Sequence, residues 1–373
     1  MIELKSIIEN KKVMKKIILF TDCLGAGGAQ RQLVGLAVML HKEGYDIKVC
    51  TYHNQDFYKY YLDENGISNV IIPNANNSKK RIIAVRRFFL QEKPDWVIAY
   101  QETPSLVASL IKLLGGKYNL IVSERNTTQV IGIKERIRFM LYRFANHIVP
   151  NSYAQEKFLR EHYPWMNSKL CTITNFVDTN KFSFVEHKKR IIPRIVVAAT
   201  LFDSKNALGL IEAIKIAKER GYKFTVEWYG KIAAYQEYID KCEKLINEYQ
   251  LQSFIKLYDK TKEIQKKYAD CDFFCLPSFF EGTPNVICEA ISCGCPVICS
   301  DVCDNSIYVN EGKNGFLFDP KSPESISNAI CSMILLNNKQ YTEFSFNSRK
   351  IAEEKLSEKI FFNKYLNIIT NCN

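Results

Sequence analysis

The sequence predicts an α/β protein with two doubly wound parallel sheets, one in each half of the chain. Three observations favour this fold class. Short apolar runs that suit buried strands alternate with longer segments whose apolar residues recur every three or four positions. This alternation continues over 373 residues, a length that suits two domains rather than one. It pauses once, at the polar and basic stretch VEHKKR (185–190), and then starts again.

Each half is predicted to contain six strands, with helices in the gaps between them. The strands of the first half are 16–21, 47–52, 70–73, 96–100, 120–124 and 147–150. Those of the second half are 195–200, 224–230, 254–258, 272–277, 296–300 and 315–318. The first domain is expected to span 1–187 and the second 188–356. Because ligands of such sheets bind beyond the carboxyl ends of the strands, the loops that follow the strands are where binding residues are expected.

The composition is that of a folded protein, with 47% apolar and 24% charged residues. No apolar run is long enough to cross a bilayer, and the first residues lack the apolar core of a secretory signal. We therefore expect a cytoplasmic protein with reduced thiols. Residues 1–13 precede Met14, which resembles a natural start, and no function is assigned to them.

The net charge of +11 suits nucleic acid, anionic lipid or a phosphorylated substrate. Segments 79–89 and 133–144 interleave basic residues with apolar ones at helical spacing, as in helices that lie on an anionic membrane surface. The alternative is an ordinary surface helix with an apolar core face and a solvated basic face. Nucleic acid is disfavoured, because no helix-turn-helix, zinc-finger, RNA-recognition or KH signature occurs.

Five of the thirteen cysteines cluster between residues 288 and 303. They lack paired CxxC motifs and a nearby histidine, so we expect small buried apolar side chains rather than a zinc site. The cluster comprises Cys288, Cys293, Cys295, Cys299 and Cys303.

A glycine-rich loop, DCLGAGGAQRQL, follows the first strand and opens a helix. Amides at a helix N-terminus bind anions, which makes Gly27, Gly28 and Arg31 candidates for an acceptor or diphosphate loop. The loop does not match a dinucleotide fingerprint, because Gln30 stands where that motif has its third glycine. A tight turn that binds no ligand is the alternative.

Glu124 and Arg125 follow the fifth strand, within SERNTT. Their place at the carboxyl end of a strand suits an arginine that forks onto a phosphate or carboxylate. The alternative is a surface ion pair between the two.

In the second half, Lys205 precedes a helix and adds positive charge to its electropositive end, which hints at a bound phosphate. Asn206 stands near the start of that helix.

The segment EGTPNVICEA (281–290) predicts a helix that begins at Pro284, with Thr283 as its cap. The amides of Asn285 and Val286 would then form an anion site. Glu289 stands eight positions after Glu281, about 12 Å if all were helical, which is too far for a glycosidase pair. The segment instead suits a donor whose diphosphate lies on the amides and whose hydroxyls contact one glutamate at either end.

These motifs resemble the GT4 family of retaining glycosyltransferases, which have the GT-B fold of two Rossmann-like domains facing a central cleft. GGAQRQL resembles the family's first glycine-rich loop, FFEGTPNVICEAISCGCPVICSD its E-x7-E region, and NEGKNGFLFDP the segment that follows. The resemblance implies that Glu281 lies beside the transferred sugar, Glu289 binds the donor ribose, and the amides after Gly282 bind the diphosphate together with Lys205. Glu281 and Lys205 are therefore the candidate catalytic residues. It also implies that the final helix, 357–373, completes the first domain.

The chain departs from the family pattern at two positions. Thr200 stands where many members have an arginine that contacts the donor. Arg125 replaces a common histidine, as in enzymes that act on lipid-linked oligosaccharides.

The resemblance implies transfer of a sugar from a nucleotide diphosphate, expected to be UDP, to a polyprenyl-diphosphate-linked glycan at the inner face of the cytoplasmic membrane. No metal or other cofactor is expected. The alternatives are a UDP-sugar 2-epimerase and a basic nucleotide- or nucleic-acid-binding protein without catalysis. Donor sugar, acceptor glycan and linkage depend on pocket shape, which the sequence does not reveal.

Overall fold

A computed structural model of the protein describes residues 14–126, 128 and 130–371, so residues 1–13 lie outside the described part. Its strands are β1 (Lys16–Phe20), β2 (Asp46–Thr51), β3 (Ser68–Ile71), β4 (Trp96–Tyr100), β5 (Asn119–Glu124), β6 (His147–Pro150), β7 (Arg194–Ala198), β8 (Thr225–Lys231), β9 (Ile255–Asp259), β10 (Phe273–Leu276), β11 (Val297–Ser300) and β12 (Gly315–Phe318). Its α-helices are α1 (Gly28–Lys42), α2 (Lys59–Glu64), α3 (Ser78–Glu92), α4 (Glu102–Leu113), α5 (Ile133–Leu141), α6 (Tyr153–His162), α7 (Ala207–Glu219), α8 (Gln236–Glu248), α9 (Ile264–Ala269), α10 (Asn285–Ser292), α11 (Asn305–Tyr308), α12 (Pro323–Leu335), α13 (Asn338–Leu356) and α14 (Glu358–Thr370).

The strands form two six-stranded parallel sheets, which confirms the predicted fold class of two doubly wound sheets. The first sheet has the order β3-β2-β1-β4-β5-β6, and the second has the order β12-β11-β10-β7-β8-β9. The direction of winding therefore reverses between β1 and β4 in one sheet and between β7 and β10 in the other. Such a switch point leaves a crevice beyond the strand ends, where ligands of these sheets bind.

The chain divides into two compact units, one ending at Thr174 and resumed from Phe361 onward, the other spanning Asn175–Ile360. The segment 175–187, which the sequence analysis placed in the first domain, belongs to the second unit. Its backbone and side chains explain the difference: the Val177 amide donates to the Leu356 carbonyl, and the His187 ring contacts the carbonyl oxygens of Cys271 and Cys293.

The last helix, α14, packs in the first unit although it follows the whole of the second. Its Tyr365 hydroxyl lies 2.9 Å from that of Tyr100 at the end of β4. Lys364 Nζ donates to the Thr172 carbonyl at 3.3 Å, and Lys15 Nζ donates to the Ile369 carbonyl at 3.0 Å. The first unit is thus built from both ends of the chain.

Each unit has its own apolar core around its sheet. Strands β4 and β10 are buried along their whole length, as expected for central strands of a parallel sheet. No helix within residues 14–126 or 130–371 combines the length and the hydropathy that crossing a membrane requires.

Candidate active site

Two loops of the second unit meet at its switch point. Lys205 lies in the loop after β7, and Glu281 lies in the loop after β10. These strands are neighbours in register, so their carboxyl ends lie side by side. Lys205 Nζ is 2.6 Å from Glu281 Oε1, and the two side chains are 21% and 13% exposed. The structure therefore joins the two candidate catalytic residues in a partly buried ion pair.

A tightly held turn positions Lys205. The next residue, Asn206, has the left-handed backbone conformation (φ 57°) and caps α7 by accepting from the Gly209 amide at 3.2 Å. Its side-chain nitrogen also donates to the Pro320 carbonyl at 2.7 Å. Lys205 thus precedes a fixed helix N-terminus, where its ammonium group and the helix end create a positive region.

Helix α10 begins one residue later than the sequence predicts. Pro284 is the N-cap residue rather than the first residue of the helix, so Thr283 stands one position before the cap. The Asn285 amide donates to the Thr283 carbonyl at 2.9 Å, which commits one of the amides expected to bind an anion. Asn175 Nδ2 holds the Asn285 side chain, donating to Oδ1 at 2.7 Å. Val286 remains in the first turn, where amides have no carbonyl of their own helix to bond.

One cavity of about 370 Å³ unites most of the predicted donor site. Among the predicted residues it is lined by Lys205, Glu281, Thr283, Asn285, Val286 and Glu289. Gly282 lies in the same loop but is not part of the lining. Sequence reasoning missed other lining residues, which include Tyr229, Gly230, Lys260, Thr261 and Tyr268.

Of the lining residues that the sequence analysis did not predict, Gly230 has a recognisable signal in the sequence, because it is a glycine near the end of an apolar strand. A Cβ atom there would lie 1.8 Å from the Ala199 carbonyl oxygen. Only glycine therefore lets the ends of β7 and β8 approach this closely, and that approach shapes the wall of the cavity.

Glu289 lies in the second turn of α10 and is 6% exposed. Tyr268 of α9 lies close to it. Burial and, to a smaller extent, the Glu289 carboxylate raise the pKa of the Tyr268 hydroxyl well above its usual value. This end of the cavity therefore has a carboxylate beside a protonated hydroxyl.

In the first unit, the Gln30 side chain forms a hydrogen bond across the glycine-rich loop. Gln30 is 6% exposed and its Nε2 donates to Asp22 Oδ1 at 3.2 Å. A Cβ atom on Gly27 would lie 2.2 Å from Gln30 Oε1, so the glycine makes room for this side chain. Gly28 opens α1, and the Arg31 amide donates to the Gly27 carbonyl at 3.1 Å. Gln30 thus explains why the loop departs from the dinucleotide motif.

Glu124 and Arg125 do not form the surface ion pair that was one alternative. Glu124 is fully buried, accepts a hydrogen bond from the Tyr142 hydroxyl, and lies 3.3 Å from Arg138 Nη2. Burial raises the pKa of its carboxyl group, and Arg138 partly opposes that rise. Its carboxylate is therefore committed to α5 and the turn after it. Arg125 is 8% exposed and stacks on Tyr100, with 4.4 Å between its guanidinium carbon and the ring centroid.

Four of the five clustered cysteines are buried in the core of the second unit as free thiols, and Cys303 is exposed. Cys372 lies outside the described residues. In the part of the chain that the structure describes, no three His, Cys, Asp or Glu side chains are grouped as metal ligands.

Two family models match the chain in tandem. The model for Glycosyltransferase Family 4 matches residues 26–181, and that for Glycosyl transferases group 1 matches residues 178–351. The chain is a GT4-type glycosyltransferase with the GT-B fold.

This glycosyltransferase is 25% identical over 311 residues to an N-acetylgalactosamine-N,N'-diacetylbacillosaminyl-diphospho-undecaprenol 4-alpha-N-acetylgalactosaminyltransferase of Campylobacter jejuni, covering 77% of this chain and 81% of the relative. Its fold is similar to a glycosyltransferase from Rickettsia africae, with a TM-score of 0.83, 16% identity, and 96% and 99% of the two chains covered. It is also similar to Anabaena HepE in complex with UDP and glucose, with a TM-score of 0.80, 18% identity, and 95% and 99% covered.

The glycosyltransferase has a second lysine in its cavity. Thr200, at the position where the resemblance predicts an arginine, lines the cavity, and so does Lys260 from the loop after β9. Lys205 and Lys260 are the two cationic side chains of the lining. The same lining holds two carboxylate side chains, Glu281 and Glu289, which balance the two lysines in formal charge.

Proposed function

We propose that this glycosyltransferase moves a sugar from a UDP-sugar to a hydroxyl of a lipid-linked glycan, with retention of configuration at the anomeric carbon. The observation that carries the proposal is the single cavity that holds the Lys205–Glu281 pair, the first turn of α10 and Glu289. The Campylobacter relative is named for an undecaprenol-linked acceptor, and the Anabaena structure contains UDP and glucose. Both names support the proposed substrates.

In the proposed reaction the bond between the sugar C1 and the β-phosphate oxygen breaks, and the acceptor hydroxyl oxygen forms a new bond to C1 on the same face. The acceptor proton passes to the departing phosphate oxygen, so the products are the α-linked glycoside and UDP. Negative charge grows on the diphosphate as it leaves. Lys205 and the first-turn amides of α10 would stabilise that charge, which is the largest contribution that a fixed polar site makes to such a step.

The ion pair gives Glu281 a defined part in this step. In the proposed pose the carboxylate of Glu281, 2.6 Å from Lys205 Nζ, would lie where the sugar meets the diphosphate. Glu289, deeper along α10, would accept hydrogen bonds from the ribose hydroxyls. Lys260 would supply a positive contact in place of the family arginine.

The test is a screen of UDP-glucose, UDP-galactose, UDP-N-acetylglucosamine and UDP-N-acetylgalactosamine for release of UDP, with and without polyprenyl-diphosphate-linked glycans. We expect one donor to be consumed only when an acceptor is present, and the anomeric NMR coupling of the product to show an α-linkage. The rate should be unchanged in EDTA, because no step is assigned to a metal. Release of an altered UDP-sugar without acceptor would instead indicate an epimerase, and no UDP binding at all would refute the proposal.

We also propose that α5 docks the enzyme on an anionic membrane. The exposed side of α5 and of the residues that flank it is apolar: Val130, Ile133, Ile137, Met140 and Phe144 are 77%, 78%, 51%, 58% and 38% exposed and recur every three or four positions. Its inner side carries the buried Arg138, Phe139 and Tyr142. An ordinary surface helix has the opposite arrangement, with apolar residues inside and charges outside.

Charge around the stripe favours a bilayer with anionic lipids as the occupant. Lys134 and Arg136 of α5 are exposed beside the apolar residues. Helix α4 packs against both α5 and α3, and α3 exposes Ile83 and Leu90 (73% and 55%). The exposed face of α3 also carries four cations, Lys79, Lys80, Arg86 and Arg87. Apolar side chains at the acyl boundary with basic groups at the headgroups characterise helices that lie on membranes.

The variant I133D/I137D should therefore bind vesicles of phosphatidylglycerol at least about tenfold more weakly than the wild type, because two isoleucines lose their burial in lipid. Sedimentation with the vesicles measures this. L335D, at an apolar residue of the second unit that is 68% exposed, is the matched control and should bind like the wild type. Equal binding by I133D/I137D and the wild type would show that α5 does not enter the bilayer.

A further inference from the structure

Arg125 is a buried cation with unused hydrogen-bonding capacity. The residue is 8% exposed, and none of Nε, Nη1 and Nη2 has a hydrogen-bond partner. Its guanidinium plane is held over the Tyr100 ring at 4.4 Å. A buried charge without an opposite charge or hydrogen bonds destabilises a fold, so proteins rarely keep one without a use.

The carboxylates near this edge of the first sheet have other partners. Glu124 is bonded to Tyr142 and Arg138, and Glu102 lies 3.0 Å from Arg138 Nη1. Asp22 Oδ1 accepts from the Cys23 amide at 2.7 Å and from Gln30 Nε2 at 3.2 Å. Glu124 is the last residue of β5 and Arg125 the first after it, and the two side chains have different partners: Glu124 contacts Arg138 of α5, whereas Arg125 stacks on Tyr100.

A second observation at the same edge is independent of Arg125. Gln101, directly after β4, has φ 74° and ψ 170°, a region that is essentially restricted to glycine. Its amide donates to the Ser123 carbonyl at 3.1 Å, and its Oε1 accepts from the Thr21 hydroxyl at 3.1 Å. Non-glycine residues in this conformation cluster at ligand sites, and this one lies at the switch point between β1 and β4.

The platform under Arg125 is rigid. Tyr100 is fully buried, and its hydroxyl is fixed by that of Tyr365 from the returning helix α14, at 2.9 Å. Stacking on this ring holds the guanidinium plane, and a planar guanidinium can meet two oxygens of one anion with two parallel N–H groups.

We propose that Arg125 is the oxyanion site of the first unit and binds two oxygens of a phosphate or carboxylate on the glycan acceptor. That the anion belongs to a glycan acceptor rests on the proposed function. That Arg125 binds an anion does not. Two sources share this chemistry: the diphosphate that links a glycan to its lipid, and the carboxylate of an acidic sugar. Pyrophosphate and glucuronate represent them as probes.

The experiment is thermal unfolding of the wild type and of R125M with saturating UDP, which occupies the donor cavity of the second unit. At about ten times its Kd, the effective probe should raise the wild-type Tm by about 3–6 °C. R125M should lose this shift, and its Tm without probe should rise by about 2–4 °C, because methionine fills the buried position without a charge. R143M is the matched control, since Arg143 also stacks on an aromatic ring (Trp165, 5.1 Å) but is exposed, and it should keep the shift.

A response to pyrophosphate alone would assign the site to the lipid diphosphate, and a response to glucuronate alone would assign it to an acidic sugar. A shift that R125M retains, or the absence of any shift in the wild type, overturns the proposal whatever the Tm without probe. Because sugar transfer is not measured, the Arg125 site and the proposed reaction can fail separately.

Discussion

In the Lys205→Ala variant, we expect kcat for sugar transfer to fall by about 10²–10³-fold, the loss that follows removal of one group that stabilises developing negative charge. The ammonium lies 2.6 Å from Glu281 and next to the fixed N-terminus of α7, so no neighbouring side chain of that loop can replace it. Steady-state kinetics with the donor found in the screen measures the effect.

Lys231→Ala is the matched control for this prediction. Lys231 also pairs with a glutamate of the second unit, Glu243, at 3.0 Å, but it does not line the cavity. Its kcat should be that of the wild type. The double variant K205A/E281Q should bind UDP more tightly than Lys205→Ala does, because the Glu281 carboxylate left without its lysine no longer repels the diphosphate. It should not regain turnover. Wild-type turnover in Lys205→Ala would remove this lysine from the mechanism.

Glu289→Gln should bind UDP about 10–100-fold more weakly, since hydrogen bonds to a charged group contribute about 1.5–3 kcal/mol. The carboxylate is 6% exposed, so glutamine preserves its volume and tests the charge. Calorimetric titration with UDP and with 2′,3′-dideoxyuridine diphosphate separates ribose recognition from other effects. The wild type should strongly prefer UDP, and Glu289→Gln should bind both nearly alike.

Glu243→Gln, which changes a carboxylate of the same unit outside the cavity, serves as the control and should keep the preference for UDP. If Glu289→Gln discriminated between the two nucleotides as well as the wild type does, Glu289 would not bind the ribose hydroxyls.

The strands were predictable because each is a short apolar run, and the observed ends differ from the predicted ones by at most two residues. The order of the strands within each sheet could not be predicted, because it depends on contacts between segments that are distant along the chain. Segment 175–187 shows the same limit: the polar stretch 185–190 suggested a domain boundary at residue 188, whereas His187 is bonded between two carbonyl groups of the second unit.

Within the site, short sequence motifs predicted the structure correctly where a turn or a helix start forms the site. The glycine, threonine and proline after β10 predicted a helix start within one residue of α10. Sequence motifs did not predict contacts with residues that are distant along the chain. Asn175 holds Asn285 from 110 positions away, and Lys260 enters the cavity from a loop without a motif. The environments of Glu124 and Arg125 were equally unpredictable, because their partners Arg138, Tyr142 and Tyr100 come from other segments of the chain.

The return of α14 to the first unit has a consequence for how the protein is made. Translation proceeds from the N-terminus, and domains fold as their residues emerge. Residues 175–360 can complete their own unit while the first still lacks Phe361 and Tyr365, both buried in the finished protein. The half that is synthesised first is therefore the half that is finished last. A nascent chain interrupted before Tyr365 leaves the ribosome without the hydroxyl group that fixes Tyr100 under Arg125.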